Sequence, residues 1–267
     1  VETAGDQDVL LARLSPQGAL LWANVYASAD YEIPTEVVPG ANGVLHILKR
    51  VLPAGQAWLM NVNQNGALIG EFNLSGNGTD TPADLAATAD GNLVLTGFNT
   101  TDDLYLQKTG TDGSTLWRHD FVTPDQFVGP EGLLEDANGD IVVLCSRIIS
   151  TTGEQDGFLM KFDAIGTPVW ERRIGRDNRP EVMTKIELCP DGGYLLGGRH
   201  STQNINHAYI VKTDENGIVT PGRIVGNIFR DFDVDCSSTP GDLPLQNRIV
   251  RAFRDSAHVY FAGSDAF

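Results

Sequence analysis

The sequence predicts an all-β fold: a β-propeller of four-stranded blades followed by the beginning of a β-sandwich domain. Three observations predict it. A segment recurs about every 50 residues, each recurrence holds two glycine-centred turns, and apolar residues alternate on either side of the turns.

Five copies align on a first glycine. They are DVLLARLSPQGALLW (8–22), AWLMNVNQNGALIG (57–70), LYLQKTGTDGSTLW (104–117), GFLMKFDAIGTPVW (157–170) and AYIVKTDENGIVT (208–220). The aligning residues are Gly18, Gly66, Gly113, Gly166 and Gly217, spaced 48, 47, 53 and 51 residues. A second anchor follows each of the first four, at Asn42-Gly43, Asp90-Gly91, Asn138-Gly139 and Asp191-Gly192, and an apolar run follows that. Asn-Gly or Asp-Gly between apolar runs predicts tight hairpins with type I′ turns, which need positive φ at both central residues. In 157–163, Phe158, Met160 and Phe162 fall on one face, and Leu159, Lys161 and Asp163 on the other. Two hairpins per repeat make four antiparallel strands, the content of one blade. The blade-length units are 7–54, 55–102, 103–155 and 156–205, with a half unit at 206–220.

Counted as hairpins, the series amounts to about four and a half blades with the same half at each end. Such a set does not close a ring by complementing its own halves. The expectation is a part of a larger ring with further blades upstream; an open propeller completed by another chain is the other reading. The first residue is Val1, which fits a chain processed or cut from something longer.

Certain repeat positions have readable roles. Four residues past the first anchor stand Trp22, Trp117 and Trp170, with Gly70 in the second copy. Aromatics recurring once per blade are expected to pack between blades. Five residues before the anchor stand Arg13, Asn61, Lys108, Lys161 and Lys212. These read as solvent-facing strand residues that discourage edge pairing, with a basic ligand-binding ring as the competing reading.

After Ile218 the pattern breaks, and Pro221-Gly222 marks a boundary. The segment 221–267 contains three alternating runs, RIVGNIF, RIVRAF and HVYFAG, which read as strands of a second β domain too short to complete a sandwich. Within it, Asp231, Asp233, Asp235 and Asp242 occupy positions 1, 3, 5 and 12 of a calcium-loop spacing, although Cys236 stands where such a loop has glycine. Asp136-x-Asn138-x-Asp140 shows part of the same spacing on a repeat turn, where turn chemistry already explains it.

The formal charge, 19 − 35 = −16, argues against nucleic-acid or anionic-membrane partners, both of which need a basic footprint. No stretch is apolar enough for membrane insertion. Cys145 and Cys189 read as buried thiols, and with Cys236 the count is odd. His46, His119, His200, His207 and His258 are dispersed, and nucleophile-elbow and phosphate-loop motifs are lacking. The adjacent acids Glu135 and Asp136 suit glycoside hydrolysis only if their spatial separation allows it, and surface placement is their expected fate. The sequence therefore predicts that the chain is not an enzyme.

The repeat, best seen in DGFLMKFDAIGTPVW followed by PDGGYLLGG (156–198), resembles the β-propeller repeats of large secreted surface proteins of Bacteroidetes-type bacteria, often cargo of the type IX secretion system. Gly226, Ile228, Phe229, Asp231, Asp233, Asp235, Pro244, Leu245 and Val250 resemble the start of prealbumin-like, collagen-adhesin B-type domains and serine-aspartate B repeats. The resemblance implies an extracellular or cell-surface location and a non-catalytic adhesive or display module. Its partners would be other domains or copies of a large surface protein, glycans or cell-surface proteins. It also implies Ca2+ at Asp231, Asp233, Asp235 and Asp242, as in related B repeats. The alternative is a secreted carbohydrate-binding or carbohydrate-active propeller; a homo-oligomer complementing half-blades between chains is a third reading.

Overall fold

The computed structural model describes residues 7–76, 78–101, 103–122, 124–175, 180–202 and 205–219, and beyond them the strands at 229–230, 243–244, 249–254 and 257–263. Two compact units divide the chain, Val1–Ile218 and Val219–Phe267.

The first unit is a succession of antiparallel sheets. β1 (Val9–Leu14) pairs with β2 (Leu20–Tyr26). β3 (Tyr31–Pro39), β4 (Leu45–Leu52), β5 (Gln56–Val62) and β6 (Leu68–Asn73) form a four-stranded sheet in that order. β7 (Thr81–Ala87), β8 (Leu93–Phe98), β9 (Leu104–Thr109) and β10 (Thr115–Phe121) repeat it, as do β11 (Gln126–Glu135), β12 (Ile141–Ile148), β13 (Gln155–Phe162) and β14 (Pro168–Ile174). β15 (Glu181–Leu188), β16 (Tyr194–Thr202) and β17 (Ile205–Lys212) form a three-stranded sheet, and bridge residues Thr213 and Val219 flank the next turn. These are propeller blades.

Each sheet begins with a second-anchor hairpin and continues with the first-anchor hairpin of the following copy, so the sheets straddle the 7–54, 55–102 and 103–155 units. A repeat length fixes what a blade contains but carries no information about phase. The first strands lie innermost: β3 packs on β7, β7 on β11 and β11 on β15.

The core lies between blades rather than within one. Phe158, Met160 and Phe162 of β13 pack back on Val94, Leu104 and Leu106, whereas Leu159 packs forward with Val142, Leu144, Ile186 and Tyr194. The predicted alternation therefore holds, but both faces are buried. That is why β12 reads as the unbroken run IVVLC.

Hairpins form at the predicted anchors; the turn at Asn42-Gly43 has the predicted type I′ backbone, with positive φ at both residues, but the other turns do not. Among the described residues, Asn42 is the only non-glycine with positive φ. At Asp136–Asp140 the Gly139 N–H donates to the Asp136 carbonyl (3.0 Å), and the Asp136 N–H to the Asp140 carbonyl (2.8 Å). This is a type I turn closed by a left-handed glycine. The first loop residue explains the choice: Asp136 Oδ1 accepts from the Asn138 and Asp140 N–H groups at 2.8 and 3.1 Å, and Asp163 caps Ile165 and Thr167 in the same way.

In the second unit, β18 (Phe229–Arg230) pairs with β19 (Leu243–Pro244), and β20 (Ile249–Arg254) with β21 (Ala257–Gly263).

Candidate functional site

Two repeat positions turn out to build the scaffold. The residues five before each first anchor are not a solvent-facing row. Lys161 on β13 is buried and pairs with Asp136 (2.7 Å) and Asp140 (3.0 Å) in the β11–β12 turn of its own blade. Lys108 pairs with Asp90 (2.7 Å), and Lys212 with Asp191 (2.9 Å), in the corresponding turns of their own blades, each with the third turn residue rather than the first. In the β3–β6 blade the pair becomes a neutral hydrogen bond between His46 Nδ1 and Asn61 Oδ1 at 2.7 Å. Arg13 donates to the Gln64 carbonyl of the next blade. Packing between blades, not edge protection, dictates this position: a Lys covered by the neighbouring blade needs an acid within reach. The pairing holds the Asp136 carboxyl below its usual range against the opposing effect of burial. The same pairing leaves Asp136-x-Asn138-x-Asp140 accounted for without calcium.

The aromatic position does pack between blades, and it does so on the glycine of the following first-anchor turn. A Cβ on Gly66 would stand 3.0 Å from Trp22, one on Gly166 2.9 Å from Trp117, and one on Gly217 2.7 Å from Trp170. Where Gly70 replaces Trp, Phe72 takes over, and a Cβ on Gly113 would stand 2.8 Å from its ring. All four glycines also have positive φ, so both the turn and the close approach exclude a side chain.

The acids Glu135 and Asp136 do not form a catalytic pair. Glu135 accepts the Ala89 N–H of the preceding blade at 2.6 Å, while Asp136 serves Lys161 and the Tyr194 hydroxyl (3.3 Å). Cys145 is buried beside Met160, and burial pushes its thiol up to about 12; Cys189 is only half-buried, short of the buried thiol expected. His119 lies tilted between the rings of Trp117 and Phe121, and His200 stacks on His207 at 4.9 Å. Among the described residues no group of three His, Cys, Asp or Glu side chains is placed to hold a metal ion. Asp231, Asp233, Asp235 and Asp242 lie outside the described residues.

A different set of carboxylates comes together at the innermost strands. Each of these strands carries a β-bulge at the same height, between Pro34 and Glu36, Pro82 and Asp84, Pro130 and Gly132, and Met183 and Lys185. A bulge re-aims a side chain out of the regular pleat. Glu36, Asp84, Gly132 and Lys185 are the residues that follow these bulges on the four strands, whereas Glu131 is itself the extra residue of its bulge, in the place of Thr35, Ala83 and Thr184. Asp84 is tied down by N–H groups of Leu85 (2.8 Å) and of Leu133 on the next blade, and it feels both Glu36 and Lys185. Glu36, Asp84 and Lys185 therefore lie within electrostatic reach of one another. Burial pushes the Asp84 carboxyl up to about 6, with Glu36 adding to the rise, while the two N–H groups and Lys185 oppose it. Burial raises the Glu131 carboxyl as well, against the pull of Arg199. Half-buried carboxylates with unequal proton affinities suit polar-ligand binding and proton transfer. The signal was present in the sequence as prolines at 34, 82 and 130, 48 residues apart, each followed by an acid within two residues.

No family model and no curated protein sequence matches the chain. Similar solved structures include a protein of unknown function from Bacteroides caccae, 12% identical over 77% of this chain and 71% of that one, with a TM-score of 0.51. They also include a GH43 β-1,3-galactosidase, 9% identical over 68% of this chain and 43% of the enzyme, with a TM-score of 0.49. A second GH43 β-1,3-galactosidase, seen with galactodeoxynojirimycin, is 10% identical over 72% of this chain and 75% of that one, with a TM-score of 0.46. This chain thus spans less than half of the first of the two enzymes. Likeness at these identities shows the fold alone. It nonetheless corrects the expectation that the chain is not an enzyme, because glycoside hydrolases stand among the proteins similar to it. The lack of a local catalytic motif was the ground for that expectation, and it is not a sufficient one, because acids drawn from strands a whole blade apart would leave no such motif.

Proposed function

We propose that the chain is an attachment and display module of a secreted or cell-surface protein, engaging glycans or surface proteins through residues that its blades hold rigidly in place. The observation that carries this reading is the double tie of each interior blade. A Lys–Asp pair or its neutral counterpart closes the blade on itself, and an aromatic ring seated on a glycine closes it on the next. Such ties leave the inner bulges and inter-strand loops to vary in chemistry while their positions stay fixed. The prealbumin-like reading of 221–267, and Ca2+ at Asp231, Asp233, Asp235 and Asp242, belong to the same proposal. Binding of the labelled chain to immobilised glycans, matrix proteins and bacterial surfaces tests it. Saturable binding to one class, weakened by Glu36→Gln and Asp84→Asn, is expected; no saturable binding to any surface would sink it.

The inner carboxylates favour a second reading, a carbohydrate-active propeller. Asp84 retains its proton to higher pH than an ordinary carboxyl, and Glu36 lies within electrostatic reach of it, as a general acid beside a second carboxyl would require. Release of reducing ends from a polysaccharide panel decides between the two. Turnover lost in Asp84→Asn with binding retained favours the second reading, and binding without turnover favours the first.

A further inference from the structure

Among the described residues, the first and last sheets of the blade stack expose apolar side chains in complementary ways. On β1, Leu10 is 65% and Leu14 57% exposed. The residues at the position of Leu10 in later copies, Tyr105 and Phe158, are 0% and 6% exposed; those at the position of Leu14, Val62 and Phe162, are both 0%. Gly18 has nothing within 4 Å of where a Cβ would sit, although the four later anchors each lie under an aromatic ring. At the other end, Ile210 on β17 is 63% exposed, whereas Leu59, Leu106 and Leu159, which precede their anchors by the same interval, are all 0%. Leu195 on β16 is likewise 40% exposed where Val94 and Val142 are 0%.

These two faces are the halves of one contact. Phe158 and Phe162 are covered by the blade before them, and Leu159 and Val142 by the blade after. The β1–β2 face is therefore shaped to receive a preceding blade, and the β15–β17 face to receive a following one. One molecule carries both. We propose that the chain associates head to tail with a second copy of itself, the β1–β2 face of one copy packing on the β15–β17 face of the next as consecutive blades pack within a copy. Such a contact is heterologous, so it closes into a ring or extends according to the rotation it imposes. Exposed apolar side chains then meet apolar side chains, and the repeat that made both faces supplies their register.

The mass of the full 267-residue chain, followed by sedimentation from low micromolar to high concentration, tests this proposal. Ile210→Asp damages only the tail face, and the double variant Leu10→Asp/Leu14→Asp only the head face. The wild-type mass should rise with concentration, and each variant alone should stay monomeric. An equimolar mixture of the two should give a two-copy species and nothing larger, because only one competent head and one competent tail remain. Unchanged melting of the variants excludes misfolding as the cause; should Ile210→Asp unfold, Ile210→Ser makes the same measurement. A wild-type chain monomeric at every concentration overturns the proposal and leaves both faces to blades on another stretch of polypeptide. Association untouched by either variant overturns it too.

Discussion

Replacing Gly166 by Ala separates two demands that the repeat makes on one residue. Gly166 has φ +83° and lies beneath the preceding blade, so a new Cβ would stand 2.9 Å from Trp117 Cζ3 and 2.5 Å from His119 Cδ2. Gly139 has nearly the same backbone, φ +82°, but nothing within 4 Å of its Cβ position. Left-handed backbone costs an L-residue about 1–2 kcal/mol, and both variants bear that cost. Only Gly166→Ala must also push aside two packed rings, which adds about 1–3 kcal/mol, in the range of overpacked cores. At roughly 2–4 °C per kcal/mol for a unit of this size, its melting temperature should fall about 2–12 °C further than that of Gly139→Ala. Calorimetry measures the gap, and tryptophan emission locates it, since Trp117 is the ring displaced. Equal losses in the two variants would mean that the ring does not rest on the glycine with any force, and the proposed tie between blades would fail.

Three further outcomes follow from the same interactions. Lys161→Met strips the partner from the buried Asp136 carboxylate and should cost about 3–5 kcal/mol; adding Asp136→Asn should recover a substantial part, as read from urea midpoints at constant slope. Asp84 holds its proton to about 6 when folded, against an ordinary value of 3.8. The folded state therefore binds more protons between those values, and stability falls as pH rises through that window. Asp84→Asn should accordingly gain up to about 3 kcal/mol above roughly pH 6 and almost nothing below roughly pH 4, and a gain independent of pH would contradict the assignment. Millimolar calcium should raise the melting temperature of the full chain if Asp231, Asp233, Asp235 and Asp242 bind it, and Asp233→Ala should abolish the rise; an unchanged melting temperature in the native chain disposes of that site.

Features confined to a few neighbouring residues were legible in the sequence, and features needing strand register were not. The hairpins at Gly66 or Gly139 are local, since loop composition and flanking alternation both lie within about ten residues. The packing role of Trp117 was legible because it recurs at a fixed distance from a turn. Lys161 misled, because a charged residue on a strand reads as solvent-facing until the register sets it opposite Val142, on the face covered by the next blade, with Asp136 in reach. The three-copy recurrence of the pair, Lys108 with Asp90 and Lys212 with Asp191, was available as a signal. In the copy with Asn61 no turn acid is present, and His46, at the strand position of Val94 and Val142, supplies the partner instead. Sheet phase was invisible for a different reason: a period is unchanged by shifting its origin half a blade.

The distribution of constancy among the copies bears on where activity resides. Positions that stay fixed from blade to blade, the turn glycines and the ring above them, are those on which packing between blades depends. At the inner bulges the backbone device is constant while its side chain changes, from Glu36 to Asp84 to Gly132 to Lys185. Packing cannot be what selects there, because residues of opposite charge and very different volume occupy one backbone position. The result is a field that is negative across two blades and positive on a fourth. A symmetric ring of identical repeats has no such direction. A ligand with a charged or polar end has one preferred orientation in that field, and exchanging Glu36 and Lys185 should reverse or abolish its binding without disturbing the blades, both side chains lying at least partly exposed.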